Sequence, residues 1–226
     1  MIRKKVSCAL LGLVALAVAG CSNTREDRPG LDILRSLTQR EAAPVTLDSQ
    51  QVDAVVAATL QATDIPLALA TFQNTENNVI LREIARNGEF RTWSDAGTSE
   101  RRNITTRNGM LTSTRGLTRD LMSSDISESL ALISTRTAGS ATRVQRYLDG
   151  ENQIVPVIMQ CGISRGDPVR VQVGEINRMA IQMIERCDDG TRSFTNIYNV
   201  DDSKRILQSA QWMNDVFGIV VIQQLR

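Results

Sequence analysis

The 226-residue chain contains no histidine. That absence removes Ser-His-Asp and Cys-His constellations, and with them the usual general base near neutral pH. Aromatic residues are scarce at 4%, so few rings are available for a sugar-stacking surface. The sequence shows no phosphate-cradling glycine-rich loop and no long run of Lys or Arg. Nucleic-acid binding needs a basic surface that displaces counterions, and 26 basic against 25 acidic residues do not supply one. Nucleic acid is therefore set aside as a partner, and no cofactor is expected.

What is present begins at the N-terminus. Arg3, Lys4 and Lys5 precede an apolar run from Val6 to Ala19, which ends in Ala19-Gly20-Cys21. This is the three-part layout of a secretory signal, and the run is shorter than the roughly 20 residues that span a bilayer. A cysteine directly after Ala-Gly resembles the lipobox at which the thiol is acylated and the chain cleaved. Residues 1–20 are then the removed signal, Cys21 is the lipidated N-terminus, and the tether runs to residue 46. Each buried methylene contributes about 0.8 kcal/mol and one acyl chain is marginal, so two or three chains anchor the protein firmly. Ser22, in place of Asp, resembles the sorting signal for the outer membrane, with the domain facing the periplasm. Loss of residues 1–20 leaves 23 basic and 25 acidic side chains, a net charge of −2.

Of four cysteines, Cys8 leaves with the signal and Cys21 carries lipid, so Cys161 and Cys187 remain. In an oxidising compartment such a pair reads as a disulfide. By chain-entropy reasoning it restricts the unfolded chain by roughly 3–4 kcal/mol. A metal site needs more ligands than two thiolates, and no C-x-x-C suggests redox exchange.

The mature 206 residues can bury one substantial core or two small ones. Ser22–Gly30 is polar, and Leu31–Leu37 has the length of a helical turn or two. Val52, Val55, Val56 and Leu60 recur at helical spacing, predicting a helix over 47–62 with Asp48 or Ser49 as N-cap, packed on a sheet. From Ile65 the pattern changes to short β-branched segments separated by turn signals. Asn108-Gly109 is the strongest hairpin signal, and Asn87-Gly88, Asp149-Gly150 and Asp189-Gly190 suggest three more. Val169–Val173 and Met179–Ile184 alternate with period two, and Arg205–Met213 and Gly218–Leu225 read as the last strands. Residues 117–133 read as a long connection with a short helix near Asp125–Ile133. The fold class is mainly β, an antiparallel barrel or sandwich over 47–226 with one N-terminal helix packed on it. Ser134–Ala141 is the candidate join if there are two linked β-units.

Candidate chemistry is sparse. Asp120, Asp125, Asp201 and Asp202 could supply a glycosidase-like carboxylate pair, but acids beside turns and helix starts usually serve as caps. Trp93, Tyr147, Tyr198 and Trp212 are the rings able to contact a sugar. Core filling is favoured for Trp212, and both readings stay open for Trp93. Arg115, Arg119 and Asp120 surround Gly116; an Arg–Asp pair fixing the loop is favoured there over a ligand or partner contact.

Taken together, Asn108-Gly109-Met110-Leu111, Thr114-Arg115-Gly116-Leu117, Arg119-Asp120-Leu121-Met122, Cys161, Cys187, Asn196, Tyr198, Asp201, Ser209 and Gln211-Trp212 resemble the YjbF or GfcB-like family of group 4 capsule polysaccharide lipoproteins. The resemblance spans roughly residues 65–226. Asn199 departs from it, standing where the family has a second aromatic. The resemblance implies a barrel-like outer-membrane lipoprotein encoded with exopolysaccharide or capsule export machinery, and it carries no catalytic residues. Expected partners are the membrane through the lipid, a polysaccharide, and export-machinery proteins. A non-enzymatic assembly or export factor is the leading expectation. A polysaccharide-modifying enzyme and a purely structural envelope lipoprotein are the alternatives.

Acylation at Cys21 predicts that Cys21→Ser abolishes processing and membrane retention. Fractionation followed by a salt wash tests this; a variant cleaved at the same bond and still membrane-bound contradicts it.

Overall fold

The computed structural model describes residues 49–75, 77–95, 102–151 and 153–226. The signal, Cys21, the tether, the Leu31–Leu37 segment and Asp48 lie outside the described residues. Helix α1 spans Ser49–Ala62. The strands are β1 Leu67–Phe72, β2 Asn77–Asn87, β3 Phe90–Asp95, β4 Asn103–Arg107, β5 Met110–Arg115 and β6 Leu121–Asp125. After helix α2, Ser127–Thr135, come β7 Gly139–Leu148, β8 Ile154–Val173, β9 Ile176–Asp188, β10 Ser193–Val200, β11 Ile206–Asn214 and β12 Gly218–Gln224.

All twelve strands join one antiparallel sheet in which chain neighbours pair except β5 and β6, and β1 pairs with β12. The sheet curls into a nearly closed barrel whose free edges, β5 and β6, meet at a seam. Residues 134–141 form the end of α2 and the start of β7 within this sheet.

Local chemistry explains most of these elements. Asn108 and Gly109 both take positive φ (46° and 85°), the type I′ arrangement that matches strand twist. At Asn87-Gly88 the two-residue loop is displaced by one position: Asn87 pairs with Phe90, and Gly88 alone has positive φ. Asp149 and Asp189 brace longer loops by accepting backbone N–H bonds from Gln153 and Arg192. Gly174 opens a further two-residue turn between β8 and β9, which the sequence reading does not single out. Its φ is +56°, and a Cβ there would stand 2.6 Å from the Leu225 carbonyl oxygen. Val169–Val173 is the end of one 20-residue strand, β8, whose register shifts between Arg165 and Pro168 at a bulge.

β1 reads Leu-Ala-Leu-Ala-Thr-Phe without polar alternation because both of its faces are covered. Ala68, Ala70 and Phe72 face the barrel core with Trp93, Ile104, Leu111 and Ile222. Leu67 and Leu69 lie under α1, against Val56 and Leu225 and next to Val52 and Leu60. Full burial of an aliphatic side chain such as Val56 contributes about 1.5–3 kcal/mol. Val55, read with the apolar stripe, points to solvent instead. The Arg226 guanidinium donates to the Leu60 and Thr63 carbonyls at the end of α1 and pairs with Glu175.

The stretch 117–133 differs from expectation because Leu121–Asp125 is a strand, β6, paired with β7. Five residues with two adjacent serines give no period-two signal, and pairing rather than propensity makes the strand. α2 follows two residues later than the expected helix. It turns its Leu130 and Ile133 against Met110, Ala141, Ile163, Met183 and Val200, plugging one end of the barrel. The opposed residues Cys161 and Cys187 form a disulfide across β8 and β9.

Candidate functional site

Within the apolar core of the barrel lies an ionic and polar cluster. Arg143 on β7 and Glu185 on β9 form an ion pair at 2.9 Å with both side chains essentially inaccessible to solvent. Tyr198 donates its hydroxyl hydrogen to Glu185 at 2.9 Å, and the Asn196 amide donates to the same oxygen at 2.8 Å. The Tyr198 oxygen accepts in turn from Arg143 at 3.2 Å. Burial pushes the Glu185 carboxyl up, but the Arg143 charge and the hydrogen bonds from Asn196 and Tyr198 outweigh it. They hold the group below the usual carboxylate range. Burial and the Glu185 charge push the Tyr198 phenol up, so it remains a donor. Tyr147 is also pushed up by burial, to about 12, and its hydroxyl donates across the barrel to the Met213 carbonyl.

Other side chains complete these cross-barrel ties. Gln211 on β11 accepts from the Leu111 N–H of β5 at 2.8 Å and donates to the Gly109 carbonyl at 2.8 Å, although β11 and β5 are not neighbours in the sheet. Asn214 donates to the Thr118 and Arg119 carbonyls. A round twelve-stranded barrel would enclose a lumen, whereas these contacts draw opposite walls together.

The seam is closed by side chains. Asp120 accepts from Thr114 Oγ1 at 2.8 Å and from the Gly116 and Leu117 N–H groups. Thr114 Oγ1 accepts from the Leu121 N–H at 2.9 Å, and Arg115 donates to the Leu121 and Met122 carbonyls. Arg119 projects outward toward Asp215 at 3.6 Å.

The residues expected to contact glycan or partner therefore occupy four separate places. Arg115, Arg119 and Asp120 form or flank the seam clasp. Tyr198 is fully buried in the ionic core. At the far end of β11, half-buried Trp212 stacks on Phe194 with centroids 4.9 Å apart, beneath the Arg192 guanidinium. Trp93 is fully covered and donates its indole N–H to Thr106 Oγ1 at 3.0 Å.

Beside Trp93, where the β2–β3 and β4–β5 turns approach the β10–β11 turn, is a recess of about 210 Å³. Arg86, Arg91, Glu89, Asn108, Arg205 and Gln224 are among its walls. The sequence reading does not identify these arginines. The one available signal is the alternation in Phe90-Arg91-Thr92-Trp93, which sets Arg91 on the same strand face as Trp93. Arg205 reaches the recess from a turn remote in sequence, beyond the reach of any local pattern.

A nearly closed, side-chain-clasped antiparallel barrel with a packed core and an arginine-bearing recess at one end defines a mainly β, barrel-like domain by shape. The chain belongs to the YjbF family, described as group 4 capsule polysaccharide lipoprotein GfcB, YjbF, whose model matches residues 39–225. It is also similar in fold to the crystal structure of the hypothetical lipoprotein YmcC from Escherichia coli K12. The TM-score is 0.66 at 16% identity, covering 79% of this chain and 92% of that one. No curated protein sequence is significantly similar to this chain. Membership supports a role connected with capsule or related polysaccharide.

Removing one partner of a buried ion pair leaves the other charge stranded, at about 3–5 kcal/mol. Glu185→Gln is thus expected to lower urea-unfolding stability by about that amount. Because Glu185 is held low in the folded state, its contribution is present above the ordinary glutamate value of about 4.3 and is lost as pH falls through the lower folded value. Wild-type stability should therefore drop on acidification below about pH 4 more steeply than that of the variant. Equal slopes would contradict this assignment.

Proposed function

We propose that the protein is an outer-membrane-anchored, periplasm-facing lipoprotein that assists exopolysaccharide or capsule assembly or export by binding glycan or a partner protein, without catalysis. Family membership supports the process. The observation that carries the binding reading is how the acids are used. A glycosidase needs one carboxyl raised in pKa as proton donor, facing a second across the sugar. Among the described residues, each carboxyl whose titration is clearly perturbed, Asp125, Glu175, Glu185 and Asp189, is pushed down by its hydrogen-bonding or charged partners. Asp120 is consumed by the seam, and buried Asp201 accepts from the Arg205 N–H and pairs with Arg178. The open recess, by contrast, sets three arginines against one glutamate in its wall, which suits holding a ligand rather than transferring a proton to it.

Deletion of the gene is expected to lower exopolysaccharide or capsule yield while leaving detergent resistance of the envelope intact. Wild-type protein should restore the yield, and Cys21→Ser should not. Unchanged polymer would contradict the proposal, and loss of detergent resistance with normal polymer would favour a purely structural envelope role.

A further inference from the structure

The recess at the barrel mouth carries an electrostatic tension that its own residues do not resolve. Arg86 and Arg91 stand directly opposite each other on β2 and β3. Like charges in that position destabilise a strand pair. One carboxylate serves both: Glu83 accepts from Arg86 at 2.8 Å and lies 3.6 Å from Arg91. Arg205 adds a third guanidinium from the β10–β11 turn, and among the described residues no carboxylate lies within ion-pair distance of it. The one acid in the wall itself, Glu89, is occupied by Arg107 at 2.8 Å. In and just behind the wall, four guanidiniums thus stand against two carboxylates. Burial, and then the neighbouring charges of Arg86 and Arg205, hold the Arg91 guanidinium below the ordinary arginine range.

An anion would relieve this excess, and the rest of the wall says which kind. A guanidinium presents a planar fork that matches a carboxylate in bidentate fashion. Glu89, Asn108 and Gln224 add hydrogen-bonding groups suited to hydroxyls, and the Glu89 charge disfavours a multiply charged phosphate. At about 210 Å³ the recess is smaller than the roughly 300–1,000 Å³ of pockets that enclose whole drug-sized ligands, so it fits one unit of a longer chain. We propose that this recess is a binding site for a carboxylate-bearing sugar unit of an acidic polysaccharide. The inference rests on the glycan-binding branch of the function proposed above.

The test is titration calorimetry of the full lipoprotein in detergent with trigalacturonate, its methyl ester and inorganic phosphate. Trigalacturonate should bind, with affinity falling as salt rises. The ester should bind at least about tenfold more weakly, the scale of one lost hydrogen bond to a charged group. Arg205→Gln and Arg91→Gln should each weaken trigalacturonate by about tenfold as well. Arg205 is exposed, so an unchanged melting curve for its variant separates lost binding from lost folding. Absence of trigalacturonate binding, equal binding of acid and ester, no effect of Arg205→Gln, or phosphate binding as tightly as the sugar would each overturn the proposal. If polymer yield still falls on deletion while trigalacturonate fails to bind, the recess assignment fails alone. If trigalacturonate binds as expected and deletion leaves polymer unchanged, the cellular role fails instead.

Discussion

The Arg143–Glu185 pair governs the inside of this barrel. Two charges taken out of water are costly, and they are tolerated when close pairing and further hydrogen bonds answer them. Tyr198 and Asn196 supply those bonds from β10, so β7, β9 and β10 are held in one relative register by a polar cluster. The cluster lies beside the apolar packing of α2, and Tyr198 belongs to both. Among the described residues the interior is consequently a packed core, and the recess lies among turns at one end of the barrel.

A second constraint follows from leaving the sheet incompletely paired. Open strand edges invite association with other chains, and natural proteins blunt them. Here the β5 and β6 edges meet, and Thr114, Arg115 and Asp120 occupy groups that a ladder would otherwise satisfy. The same substitution recurs elsewhere: the Asn196 side-chain oxygen accepts from the Trp212 N–H, and Gln211 ties β11 to β5. Polar side chains performing backbone work at several points let twelve strands close around a flattened interior. The Cys161–Cys187 bridge fastens β8 to β9 beside this region, next to Met159 and Phe194.

How much of this is legible in the sequence depends on range. Hairpins at Asn108-Gly109, Asp149-Gly150 and Asp189-Gly190 are legible because a turn is specified by the residues within it. The cysteine pair is legible by elimination. β6 is not, since Leu121–Asp125 becomes a strand only through β7, and the Gly174-Glu175 turn hides between two apolar alternations. The residues that carry the family resemblance, among them Thr114, Asp120, Asn196, Tyr198 and Gln211, mostly make internal hydrogen bonds. They specify the architecture and are poor guides to a binding surface. The recess arginines come from β2, β3 and the β10–β11 turn, three places that only the closed sheet brings together.

Arg143 and Glu185 behave as one energetic unit within the core, which a double-mutant cycle with Arg143→Met, Glu185→Leu and the combined variant, read by urea unfolding, measures. The expected coupling is about 2–3 kcal/mol, with the combined variant at least as stable as either single one. Losses that simply add would contradict it.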